Sequence, residues 1–154
     1  MEDNKIKFLK NQFIPLLASL DAKTKGQWGI LNAQQVVEHL SKSIQVASGK
    51  VKIPPVTAEE HLLKVRNFML SDKPFKENSK NPLMRDDGDP IQHASMQEAI
   101  EELTTELNYF FAIFEKNNTL TTNNPLFGTL NFEENTHLLY KHALHHLKQF
   151  NLIA

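Results

Sequence analysis

With 154 residues, seventeen basic against eighteen acidic side chains and a formal net charge of -1, the chain has the length of one domain that can bury its own core. It lacks the basic excess that a phosphate backbone selects, so no nucleic-acid partner is expected. The charged start Met1-Glu2-Asp3-Asn4-Lys5 and the lack of any run of about 20 apolar residues point to a cytoplasmic chain with no membrane partner, and zero cysteines leave histidine and carboxylate as the available metal donors.

In residues 5–21, Ile6, Leu9, Phe13, Leu16, Leu17 and Leu20 recur at helical spacing among lysines and glutamine, which predicts an amphipathic first helix. Residues 21–31, with Gly26 and Gly29 flanking Gln27-Trp28, read as a connection. Asn32 can cap a second helix that runs to about Ser48, where Gly49 ends it. A shorter helix is expected over residues 58–71. Residues 72–90, with their prolines and charges, read as a long irregular connection, the kind that serves as a lid or binding loop.

Residues 95–116 carry the cleanest apolar stripe in the chain, including Ile100, Leu103, Leu107, Phe110 and Phe114, backed by Glu98, Glu101 and Glu102. A polar loop with Pro125 and Gly128 is expected over residues 117–129, before a fourth helix from about Asn131 to Asn151. The predicted class is all-α: a four-helix bundle in one domain, residues 1–154, with a long insertion between the second and third helices.

Rotation of about 100° per residue puts Phe132, Leu139, Ala143, Leu147 and Phe150 in the apolar sector of the fourth helix. His142 and His146 flank that sector, His145 lies further round, and Lys141, Lys148 and His137 fall on the solvated side. On the second helix Ala33, Val36, Leu40, Ile44 and Ala47 face the core, with Glu38, Lys42 and Gln45 outside and His39 at the flank. Residues four apart share a helix face, so His142 and His146 can reach one ion, and His39 completes a tripod with positions left for water or substrate. The competing reading is three boundary histidines satisfied by carbonyls or water.

Other constellations carry less. Glu134-x-x-His137 has di-iron spacing but lacks a second such motif and is expected to face outward. His61 and His93 are expected as solvated surface residues, and Trp28 as a core plug at the bundle end, with a pocket wall as the other option. Asp86-Asp87-Gly88-Asp89 lacks the twelve-residue calcium pattern and reads as a solvated turn.

Three segments carry a resemblance: Trp28-Gly29-Ile30-Leu31-Asn32-Ala33-Gln34-Gln35-Val36-Val37-Glu38-His39, then Pro125-Leu126-Phe127-Gly128, then His142-Ala143-Leu144-His145-His146-Leu147-Lys148-Gln149-Phe150. Over nearly its full length the chain resembles the DinB/YfiT-like superfamily of metal-binding four-helix bundles. The resemblance implies a divalent metal ion, nickel or zinc first, on His39, His142 and His146. It also implies a thiol-S-transferase or hydrolase acting on a small-molecule substrate, with a low-molecular-weight thiol as one cosubstrate; a homodimer is left open. His145 and Gln149 are the candidates for orienting a ligand or moving a proton. In the related subgroup a histidine commonly precedes the Pro-x-Phe-Gly turn, whereas Asn124 stands here. The alternative reading is a non-catalytic helical module that binds a metal or small molecule.

Overall fold

The computed structural model describes residues 2–79, 81–85 and 88–154; Asp86 and Asp87 of the expected acidic turn lie outside them. The chain is mostly helical with one small sheet. Helix α1, Glu2–Phe8, passes through a π-helical turn, Leu9–Phe13, into α2, Ile14–Ala18. The wide turn directly precedes Pro15, which has no N–H to give to the preceding turn and crowds its carbonyl. It also serves packing. Leu9, Phe13 and Leu17 are all buried at a constant spacing of four, a row that would drift round a regular helix by about 40° per step and that the wider turn holds on one side.

Helix α3, Ala33–Ala47, starts at a reciprocal cap in which the Asn32 side chain accepts from Gln35 N and the Gln35 side chain accepts from Asn32 N. It ends before Gly49, whose φ of +80 supplies the left-handed turn. Helix α4, Glu59–Leu70, lies in the insertion. Helix α5, Met96–Lys116, packs along α3, and α6, Phe132–Gln149, opens on a second reciprocal cap between Asn131 and Glu134. Leu17, Val36, Leu40, Leu103, Phe110 and Leu147, drawn from all four long helical stretches, belong to one continuous core. Among the described residues no helix is long and apolar enough to cross a membrane.

The expected loop before α6 contains a hairpin instead. Strands β1, Thr122–Asn124, and β2, Gly128–Leu130, pair antiparallel, and Gly128 takes the positive φ that closes a short connection. Strands of three residues are too short to show a period. The hairpin is tied down from the side, since Thr122 Oγ1 donates to Ala47 O at 2.8 Å and Asn135 Nδ2 donates to Thr122 Oγ1 at 3.0 Å.

Two residues of α6 expected in solvent are buried. Lys141 is 6% exposed, and its Nζ donates to the carbonyls of Phe68, Met69 and Ser71 at 3.0, 3.0 and 3.1 Å. These carbonyls lie at the C-terminal end of α4, where a cation is a natural further donor. The same ammonium sits 4.7 Å and 4.8 Å from the ring centres of Phe68 and Phe75. His137 is also buried; its Nδ1 lies 2.8 Å from Lys5 Nζ, a donor, so Nε2 carries the proton and donates to Ser71 O at 2.9 Å. Glu134 is half-buried against Arg66 rather than facing water. The insertion thus docks on the face of α6 that periodicity assigned to solvent.

Replacing Lys141 with methionine keeps the stem but removes the donor described for Met69 O, while Phe68 O keeps Ser71 and Ser71 O keeps His137. It is expected to destabilise the fold by about 1–3 kcal/mol. Chemical denaturation would show this as a lowered midpoint, and a loss below about 0.5 kcal/mol would contradict the donor role given to this lysine.

Candidate metal centre

His39 on α3 and His142 and His146 on α6 are carried to one point by the packing of those two helices. His39 Nε2 lies 2.9 Å from His142 Nε2, and His142 Nε2 lies 3.0 Å from His146 Nε2. The ligand atoms of the three residues all lie within 4.8 Å of one another. These are the three residues that the helical angles selected.

The protonation of His146 can be traced back to the backbone. The carbonyl of Trp28 can only accept, and Gln149 reaches it at 2.9 Å, so the amide presents its Nε2 there and its Oε1 to the other side. That oxygen lies 2.7 Å from His146 Nδ1, which must therefore be the protonated nitrogen. In the neutral ring Nε2 is then a lone pair aimed into the cluster. Gln149 is held in turn by the 26–29 turn: Gln27 N donates to Gln149 O at 2.6 Å, and a Cβ on Gly26 would stand 2.7 Å from Gln149 Cγ. Any side chain at Gly26 would displace the amide that sets the His146 tautomer.

Burial keeps all three rings uncharged. Loss of water lowers the pKa of His39 to about 4, and it holds His142 and His146 well below the ordinary histidine value, with the neighbouring imidazoles adding to the effect. The donor set is therefore three neutral nitrogens. Two imidazole nitrogens at right angles about an ion, each about 2.1 Å away, stand about 3.0 Å apart. The His39–His142 and His142–His146 separations match that edge. The group spans up to 4.8 Å, wider than two donors on one ion can stand, so closing on an ion would draw the rings together. Neutral imidazole suits the nickel or zinc expected here. Among the described residues, no fourth histidine or acid joins the group.

The cluster opens into a cavity of about 690 Å³. His145 lines it, with its ring 5.5 Å from Trp28 and 6.3 Å from Phe75. Its pKa is lowered by burial and partly restored by a hydrogen bond to the Phe75 backbone. Gln149 also lines the cavity but spends its amide on His146 and Trp28, so its geometry is that of a positioning residue. Trp28 is a half-buried cavity wall, not the core plug expected of it. Asn124 borders the cavity too, and its Oδ1 accepts from Leu126 N and Phe127 N, capping its own turn.

The insertion completes the wall, with Phe75, Leu83 and Met84 among the residues that line it. Glu38, read as solvated, fixes the end of this segment: its carboxylate accepts from Gln92 N at 2.6 Å and His93 N at 3.1 Å. His93 is likewise partly buried and bonded to Glu102 at 3.0 Å, whereas His61 is exposed as expected. Phe68, on α4, and Phe75, in the irregular connection after it, were missed as site residues because nothing within their own segments says where the insertion packs on the bundle. Phe75 carried one sequence signal, an aromatic side chain in an otherwise polar stretch. Comparison with family models, with curated proteins and with solved structures returned no match.

Proposed function

We propose that this chain is a metal-dependent enzyme of the thiol-S-transferase or hydrolase type, a DinB/YfiT-like four-helix bundle in which residues 50–94 are an insertion. One observation carries the reading: three neutral imidazole nitrogens converge at the wall of a cavity large enough for a small organic molecule. A divalent ion on His39, His142 and His146 would supply Lewis acidity, lowering the pKa of a thiol or a water toward neutrality. With no cysteine in the chain, a sulfur nucleophile would come with a cosubstrate. Gln149 holds the His146 proton on Nδ1 and so keeps Nε2 available as a ligand. His145, uncharged near neutral pH because burial lowers its pKa, lines the same cavity and is the side chain suited to take the proton that the nucleophile gives up.

The alternative, a metal that only braces the fold, is less well supported. Structural zinc ordinarily takes four protein ligands, and among the described residues the group has three. Elemental analysis of protein purified without a nickel column tests the premise. About one divalent ion per chain is expected. Protein that stays metal-free after metal-replete growth, and takes up none on dialysis against zinc or nickel, would overturn the reading.

A further inference from the structure

The walls of the cavity define a class of substrate. Trp28, Ile30, Phe68, Phe75, Phe127 and Leu138 all line it, and Ile30 and Phe68 leave 55% and 40% of their surface accessible. The polar side chains of the lining are largely occupied by their own backbone. Ser43 Oγ donates to His39 O at 3.0 Å, Ser79 Oγ donates to Lys76 O at 2.7 Å, and Asn81 Oδ1 accepts from Leu83 N at 2.9 Å. Asn124 and Gln149 are engaged as described above. A sugar-like molecule entering here would give up water around many hydroxyls and find few partners, at a cost for each unpaired group. An apolar ring meets the reverse balance, because it and the walls both leave water and aromatic faces are on hand to stack.

Lys42 and Lys76 are exposed, and Lys42 lies 4.0 Å from Asp89. Asp89 is the one acid among the described residues of the lining; it is half-buried and raises the His39 pKa against the effect of burial.

We propose that the cavity binds an apolar, aromatic-bearing organic molecule, with its ring against Phe68, Phe75 and Trp28 and its reacting group toward the three histidines. The orientation rests on the metal-site reading, but the affinity for an apolar body does not. A volume of about 690 Å³ falls within the roughly 300–1,000 Å³ of cavities that enclose drug-sized ligands, which sets the size of the body.

The test uses N-phenyl-1-naphthylamine, a neutral dye that brightens on leaving water, with energy transfer from Trp28, the only tryptophan in the chain. Saturable binding of one dye per chain is expected, displaced by naphthalene and not by glucose. Ile30→Asp and Phe68→Asp each put a charge on the wall and should weaken the dye by at least about tenfold. Leu63→Asp is the control, since Leu63 is 69% exposed, on the same helix as Phe68, and outside the lining. Circular dichroism reports folding, and the exposed loop position of Ile30 keeps the test valid if Phe68→Asp fails to fold. Absence of saturable binding to folded protein, or equal weakening by Leu63→Asp and Ile30→Asp, would overturn the proposal. Metal content measured on the same samples, with His146→Ala expected to lose metal and keep the dye, separates this outcome from failure of the metal reading.

Discussion

Alanine at His39, His142 or His146 is expected to weaken metal binding by at least about 100-fold in each case, because each change removes one of three protein donors. Gln149→Leu should weaken it by about 10- to 100-fold while leaving every ligand in place. The reason is the tautomer. Without the Gln149 oxygen, nothing described holds the His146 proton on Nδ1, and the Nε2–H form has no lone pair to offer the ion. His61→Ala is the matched control, since its ring is exposed and lies 3.7 Å from Glu60, away from the cluster. His137 cannot serve as one, since it is buried between Lys5 and the end of α4 and its loss would disturb the fold. Metal content by mass spectrometry after equilibration at limiting free metal would decide, and full occupancy in the His146→Ala protein would refute the tripod.

The convergence of the three histidines was legible in the sequence for a specific reason. Helical rotation fixes relative angles without any knowledge of the neighbours, so residues 142 and 146 had to share a face, and both apolar sectors gave a direction for inward. Angles fail where the partner is irregular. Lys141 and His137 lie on the polar side of α6, yet both are buried, because the insertion packs there and brings carbonyls at the end of α4 that select proton donors. Hydrophobic period reports burial against other apolar faces; it is silent about burial against a helix end. The same limit hid Phe68 and Phe75 as cavity walls and the hairpin of β1 and β2. Conversely, the caps at Asn32 and Asn131 and the stop at Gly49 could be read directly, since each depends on residues within one turn of itself.

Acid should destabilise the protein even without metal, and the three desolvated imidazoles set the window. In the unfolded chain each takes a proton near pH 6.5, whereas the native His39 refuses one until about pH 4, and burial holds His142 and His146 well below the ordinary histidine value. Between those limits the unfolded state binds more protons. Stability from these groups is therefore fully present above pH 6.5 and is lost as pH falls toward 4. His39 alone accounts for a loss on the order of 3 kcal/mol across the window, and the close contact of the rings makes the total less than a simple sum. His93 works in the opposite sense, since Glu102 raises its pKa, but solvent screening keeps that contribution small. A bound ion steepens the fall, because imidazolium cannot ligate and protons displace the metal. Metal-loaded protein should thus melt above chelated protein at about pH 7.5 and lose that advantage at about pH 5, with both melting lower in acid. The chelated protein should remain folded at neutral pH, since the core from α1 to α6 runs through residues such as Leu17, Leu103 and Phe110 that do not touch the site. Thermal melts of the two forms at the two pH values would test this. Unfolding on chelation at neutral pH would shift the balance toward a structural metal, and a chelated protein that melts equally at both pH values would contradict three uncharged, desolvated imidazoles.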